Sequence, residues 1–228
     1  MKYKFILIDA DNTLLDFNEN ERVSITATLK HFGYPHTPEI AAMYHEINKG
    51  YWKLYDEKKI EKKDLLIQRF VTLYQKLGIK GDAFETEAFY RTQLDYGFQL
   101  IEGAAELCDW LRERYKVYIT TNGMANTQHL RLNGSGIINH VDGYFISDEI
   151  GHHKPEKAYF DYIASKVEGF EYDKALVIGD SFSSDILGGI NAGIDTCWYN
   201  PYGASTIEGK RPTYEITSYK QLKEILGE

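Results

Sequence analysis

Asp9 and Asp11 stand one residue apart at the end of an apolar run, Phe5-Ile6-Leu7-Ile8. Paired acids at such a place can do chemistry. In extended chain alternate side chains share a face, so the two carboxylates can meet at a sheet edge unless the chain turns and swings one away. Like charges so placed repel until a proton or a cation intervenes. Magnesium suits such a site, because it takes oxygen ligands and often only one or two carboxylates plus a substrate phosphate. The pair also offers one acid to attack and one to move protons. Asp-Asn-Thr reads as a plain turn as well, so the pair alone leaves both readings open.

Three further polar signals follow apolar runs. Thr121-Asn122-Gly123 offers a hydroxyl and a backbone N–H to a phosphate oxygen, or is simply a strand-to-helix turn. Lys154-Pro155 places a lysine just before a proline suited to the first turn of a helix. An ammonium fixed there would pair with phosphate and with Asp9; the plainer reading is a solvated lysine. Gly179-Asp180-Ser181 ends a fourth run, with Asp185 about one helical turn further on. Ser181 or Asp180 could instead merely cap a helix. No single signal decides. Together they put an acid, a hydroxyl or an ammonium at every strand end that should reach a common site.

The elements that would position these groups alternate. Besides Phe5–Ile8, short apolar runs at Val117–Thr120, Tyr144–Ile146, Ala175–Ile178 and Thr196–Tyr199 read as buried strands of a parallel sheet covered on both faces. Helical patterns lie at Ala104–Arg114, Asn126–Leu132, Pro155–Lys166 and Asp185–Asn191. Strand alternating with helix predicts an α/β fold, a doubly wound parallel sheet. Its ligands bind beyond the carboxyl ends of the strands. One stretch, from about Asn18 to Phe98, has helical periodicity and no convincing strand. Val23, Ile25, Ala27 and Leu29 open it, and Leu65, Leu66, Phe70, Leu73, Tyr74 and Leu77 continue it. It reads as a small helical domain inserted after the first strand. The tail predicts loop over 204–212, a last strand, and a short helix over Tyr219–Leu226.

The bulk numbers bound the function. A chain of 228 residues can bury a substantial core and form one or two domains. A net charge of −8 argues against binding a nucleic-acid polymer through a basic face, but not against a small phosphorylated ligand met by a few local donors and a metal. The apolar start is broken at Asp9, too early for a secretory signal, and no stretch reaches membrane-spanning length. Cys108 and Cys197 read as reduced, buried thiols of a cytoplasmic protein.

Asp9-Ala10-Asp11-Asn12-Thr13-Leu14, Thr121-Asn122-Gly123, Lys154-Pro155 and Gly179-Asp180-Ser181-Phe182-Ser183-Ser184-Asp185 resemble, in order, the four motifs of the haloacid dehalogenase superfamily. The resemblance covers essentially the whole chain. It implies a Rossmann-like core over 1–16 and 99–228, with a C1 cap over 17–98. Asn12 departs from the glycine many members carry, which an allowed turn tolerates. More narrowly, Asp9-Ala10-Asp11 with Thr13-Leu14, Asn48-Lys49 followed by Trp52, Gly188–Gly193 and Thr196-Cys197-Trp198 resemble the YjjG-type pyrimidine 5′-nucleotidases.

The resemblance implies a phosphatase that works through an aspartyl-phosphate. Asp9 is its nucleophile and Asp11 its general acid and base. Asp9, the Asp11 backbone carbonyl and Asp180 hold Mg²⁺, and Asp185 supports the water shell of the ion. Thr121, Asn122 and Lys154 hold the phosphoryl oxygens. Retention of Asp11 favours a phosphatase, because a dehalogenase expels halide and needs no acid for it. The implied partner is a small phosphorylated metabolite, a nucleotide, bound by a monomer or homodimer. Phosphatases of sugar or glycolytic phosphates, and a non-catalytic binder of phosphoryl ligands, are the competing readings. The cap is rich in aromatics that mostly pack helices; Lys49 and Trp52 are its candidates for holding substrate. His152 and His153 are neighbours in sequence, poor co-ligands, and read as loop residues at the entrance.

Overall fold

The computed structural model describes residues 2–227. Six parallel strands form one sheet: β1 (Phe5–Asp9), β2 (Lys116–Thr121), β3 (Gly143–Ile146), β4 (Ala175–Gly179), β5 (Asp195–Tyr199) and β6 (Tyr214–Ile216), in the order β3-β2-β1-β4-β5-β6. The apolar runs become strands because both of their faces are buried. All five residues of β1 and of β4 are buried. Alternation along β1 then divides the core in two. Ile6 and Ile8 pack with Leu107, Cys108, Leu111 and Leu222, whereas Phe5 and Leu7 pack with Tyr159, Phe160, Ile163 and Ala192.

The chain divides into two compact units, one of residues 1–16 with 99–228 and the other of Phe17–Phe98. Four helices make the second unit: α1 (Phe17–His31), α2 (Pro38–Asp56), α3 (Lys62–Leu77) and α4 (Ala83–Leu94). Helices of the first unit are α5 (Ala104–Arg112), α6 (Ala125–Gly134), α7 (Ser147–Ile150), α8 (Lys157–Lys166), α9 (Leu187–Ala192) and α10 (Tyr219–Leu226). Within the first unit, the segment leaving β1 and the segment leading to α5 are stitched together: Leu15 bridges Leu100 antiparallel, and the Asp16 N–H donates to the Gln99 carbonyl at 2.9 Å.

Helix α5 shows how pattern becomes structure. Ala104, Leu107, Cys108 and Leu111 recur at helical spacing and are the residues it buries. Ser218 caps α10 by accepting from the Gln221 N–H.

Three expectations need correction. Pro155 is not in the first turn of a helix: it follows a cis peptide bond after Lys154, and α8 begins at Lys157 with Glu156 at its N-cap. Val23 is half exposed, because the buried face of α1 runs through Asn20, Glu21, Ser24, Ile25, Thr28 and Leu29 instead. The helix expected over Asp185–Asn191 is α9 from Leu187 on, but its first two residues, Asp185 and Ile186, belong to a wide π turn, Phe182–Ile186, that feeds it.

The interior of the helical unit is aromatic and aliphatic, with Tyr44, Phe70, Leu73, Tyr90 and Leu94 at its centre. It also holds a polar chain that the apolar pattern does not reveal. The Arg69 guanidinium donates to Glu87 Oε2 at 2.7 Å and to Asn48 Oδ1 at 2.8 Å. Asn48 donates to Glu21 Oε1 at 2.5 Å, and Glu21 Oε2 meets His45 Nδ1 at 2.5 Å. Among the described residues no helix is long and apolar enough to cross a membrane.

Candidate active site

The chain adds strands towards one edge from β1 to β3 and towards the other from β4 to β6, so the order reverses between β1 and β4, the switch point where open α/β sheets bind ligands beyond their carboxyl ends. Asp9 is the last residue of β1. Beyond it the chain turns sharply. The Leu14 and Leu15 N–H groups both donate to the Ala10 carbonyl, at 2.9 and 2.8 Å. Asn12 takes φ = 57°, a left-handed conformation that Asn tolerates better than most residues. The turn sends the two acids to different partners. Asp9 accepts from Lys154, while the Asp11 carboxylate meets Arg131 and Gln128.

Lys154 is not a solvated lysine; it is 1% exposed. Its ammonium donates to Asp9 Oδ1 at 2.6 Å, Asp185 Oδ1 at 2.7 Å and the Thr120 carbonyl at 2.9 Å, which uses all three of its hydrogens. The Asn122 side chain fixes its backbone from both sides, donating to the Lys154 carbonyl at 2.7 Å and accepting from the Lys154 N–H at 2.9 Å. Burial alone would lower this ammonium's pKa, but Asp185 and Asp9 outweigh that and raise it.

The β4 end supplies the other acids. The Asp180 N–H donates to Thr13 Oγ1 at 3.1 Å, and the Trp198 indole N–H donates to the Asp180 carbonyl at 2.8 Å. The first motif and β5 thus hold the fourth motif in place. In the π turn, Asp185 folds back so that its Oδ2 accepts from the Ser181 N–H at 3.1 Å. Gly179 makes room for this, since a Cβ there would collide with the Asp185 carboxyl.

Carboxylate oxygens of Asp9, Asp180 and Asp185 lie within 4.8 Å of one another. An all-oxygen donor set of this kind fits a hard divalent cation. The electrostatics say the same. Burial pushes the Asp9 carboxyl up to about 8; Lys154 opposes this, and Asp185 and Asp11 add to it. Asp180 is likewise raised well above the usual carboxylate range, by burial first and then by Asp9 and Asp185. One ammonium does not neutralise three carboxylates, and a bound cation would restore the charged forms.

The sequence candidates of this unit therefore converge, with adjustments. Thr121 Oγ1 accepts from the Gly123 N–H at 3.1 Å and from Gln128 Nε2 at 2.6 Å. Asn122 engages through its side chain, a contact the tripeptide alone does not suggest. His153 pairs with Glu156 at 2.8 Å, and His152 faces the same carboxylate at 3.7 Å. Lys49 and Trp52 lie on α2 of the helical unit, Lys49 exposed and Trp52 half-buried edge-on to Tyr55. Gln128 and Arg131 were missed. On α6 they look like the polar face of a surface helix, yet each is 1% exposed. The available signal was their three-residue spacing, which puts both on one face just after Thr121-Asn122-Gly123.

The chain is similar to known proteins along its whole length. The crystal structure of the YfnB HAD-hydrolase of Bacillus subtilis, bound to magnesium, superposes with a TM-score of 0.95 at 36% identity and full coverage of both chains. Pyrimidine 5′-nucleotidase PynA of Streptococcus pneumoniae is 39% identical, over 99% of this chain and 96% of its own. Pyrimidine 5′-nucleotidase YjjG of Escherichia coli is 32% identical over 99% of both. The model of the haloacid dehalogenase-like hydrolases matches residues 3–193 and so includes every acid described above. With the acids and the buried lysine gathered at the switch point of this sheet, the chain belongs to the haloacid dehalogenase-like hydrolases.

Proposed function

We propose that the protein is a Mg²⁺-dependent phosphomonoesterase of nucleoside 5′-monophosphates, pyrimidine ones foremost. The observation that carries this reading is the buried excess of carboxylate at the β1 and β4 ends, where Asp9, Asp180 and Asp185 surround a single ammonium. Full-length relatives named pyrimidine 5′-nucleotidases support the choice of substrate.

In the first step a carboxylate oxygen of Asp9 attacks phosphorus. The P–O bond to the alcohol breaks, and Asp11 gives its proton to the leaving oxygen. In the second step Asp11 takes a proton from water as the water oxygen attacks phosphorus. The acyl-phosphate P–O bond then breaks, which frees inorganic phosphate and restores Asp9. Asp9, Asp180 and the Asp11 carbonyl would hold Mg²⁺, with Asp185 supporting its water shell. The ion supplies positive charge against phosphoryl oxygens that would otherwise repel the nucleophile. Lys154 adds charge of the same sign and aims Asp9. The Thr121 hydroxyl and the Asn122 N–H hold phosphoryl oxygens. Lys49 and Trp52 contribute to the choice of leaving group. Cys108 and Cys197 are buried and form no disulfide, which suits a reducing compartment, and we place the enzyme in the cytoplasm.

A panel of phosphate esters, run with Mg²⁺ and with EDTA, tests this. Turnover should need Mg²⁺ and should favour pyrimidine 5′-monophosphates. Equal or faster turnover of sugar phosphates would replace the nucleotidase reading with a sugar phosphatase. Turnover of no ester at all would leave a phosphoryl-ligand binder.

A further inference from the structure

We propose that Gln128 and Arg131 are positioning residues for Asp11, a grip that presents its carboxyl to the leaving group and to the attacking water. The proposal deepens the phosphatase reading and rests on it. Both residues come from one face of α6, three positions apart. Arg131 Nη1 donates to Asp11 Oδ1 at 2.5 Å, and Gln128 Nε2 donates to Asp11 Oδ2 at 2.7 Å. Both oxygens of the carboxylate are thereby engaged, one by each residue.

The grip is itself fixed. Arg131 Nη1 also donates to Gln128 Oε1 at 3.1 Å, so the two side chains share one geometry. Gln128 Nε2 donates to Thr121 Oγ1 at 2.6 Å, which ties the grip to the hydroxyl assigned to phosphate. Gly123 is needed for this, because a Cβ there would collide with the Gln128 side-chain amide.

A structural ion pair would account for the Arg131–Asp11 contact alone. It would not account for the rest. Burying a guanidinium carries a desolvation cost that only a well-formed pair offsets, and here the partner is a carboxylate whose side chain is still 27% exposed. An acid that only anchored α6 would gain from being covered. An acid that must reach substrate has to stay partly open, and a partly open side chain needs a rigid support if it is to point one way.

This support matters unequally in the two steps. Expulsion of an alkoxide needs the Asp11 proton; expulsion of p-nitrophenolate does not. Hydrolysis of the aspartyl-phosphate needs Asp11 with either substrate. Arg131→Met and Gln128→Leu are therefore compared with wild type on a pyrimidine 5′-monophosphate and on p-nitrophenyl phosphate, with Mg²⁺ present. The nucleotide kcat should fall about 10²-fold, the lower end for removal of general acid–base catalysis, with KM little changed. With p-nitrophenyl phosphate the first turnover should stay fast and the second step should slow. That produces a burst of p-nitrophenolate and a phosphorylated protein seen by intact mass after acid quench. Arg131→Lys should recover part of the nucleotide rate, which a packing defect would not explain.

Equal losses on both substrates without a burst, or no loss on either, would overturn the proposal. Thermal melts accompany each variant; if Arg131→Met does not fold, Gln128→Leu and Arg131→Lys carry the same comparison. Failure of the phosphatase reading itself looks different, since wild type would then hydrolyse neither ester.

Discussion

Each unit of the molecule buries a charge cluster, and the two clusters differ in charge balance. In the helical unit Arg69 sits against Glu87 and Asn48, and Asn48 and His45 complete the partners of Glu21. Two carboxylates face one guanidinium and one imidazole, and the intervening lone pairs are shared through an amide. At the sheet edge three carboxylates surround one ammonium. A balanced cluster is complete within the chain. Burial raises the Glu87 pKa in the balanced cluster, against Arg69 and Arg91; in the surplus cluster repulsion between acids adds to burial, and such groups gather at functional sites. Burial alone does not separate a structural network from a reactive one; charge balance does.

The largest expected effect breaks the reactive cluster. Asp9→Asn keeps the shape and removes the nucleophile, so steady-state turnover of p-nitrophenyl phosphate should fall at least about 10³-fold, on the scale of losing a covalent nucleophile. Its melting temperature should hold, because the substitution removes a strained negative charge. Unchanged turnover would end the assignment of Asp9.

Breaking the balanced cluster should instead cost stability. Arg69→Met takes away the close partner of the buried Glu87 and leaves it only Arg91 at 3.9 Å, for a loss of about 3 kcal/mol in denaturant unfolding. Pairing it with Glu87→Gln should recover a good part of that. If the single variant is as stable as wild type, the network is not what holds the helical unit.

Metal binding sharpens the contrast. Mg²⁺ at about a hundred times its dissociation constant should stabilise wild type by about 2.7 kcal/mol through mass action. Asp180→Asn should abolish that increment, and Arg69→Met should keep it. A Mg²⁺ increment that survives in Asp180→Asn would move the ion elsewhere.

The smallest effect is a pH dependence. The Glu21 carboxylate holds the His45 pKa above the ordinary imidazole value, against burial, with Glu46 adding to the rise and Lys49 opposing it. A raised imidazole stabilises the fold fully below its unfolded pKa, about 6.5, and loses that stability as pH rises through the folded value. The His45 side chain is 39% exposed, so screening limits the contribution to about 0–1 kcal/mol. His45→Gln should lose stability relative to wild type at low pH and converge with it above that window. A difference that is constant with pH would assign His45 to packing alone.

Much of the core was legible because its signals are local. A strand buried on both faces must be apolar throughout, so Phe5–Ile8 and Ala175–Ile178 announce themselves, and the polar residue ending each run announces the site. Arg69, Gln128 and Arg131 were not legible, because an isolated polar residue on a helix looks solvated until tertiary contacts supply its partner. Val23 misled for the converse reason, since α1 turns a mostly polar face inward.

Residue type and order by themselves determined the alternating architecture and the helical insert, and made Asp9, Asp11, Lys154, Asp180 and Asp185 candidates for one site. The first two follow from hydrophobic periodicity, and the candidates follow from the conjunction of polar groups at successive strand ends, since each one alone also reads as a turn, a cap or a solvated lysine. Only the tertiary structure decided which acids share a cation-sized space and which one turns away. That outcome depends on the tight turn after Asp9 and on the π turn that folds Asp185 back. Both place side chains through contacts between segments far apart in the chain, such as Thr13 with Asp180 and Asp11 with Arg131.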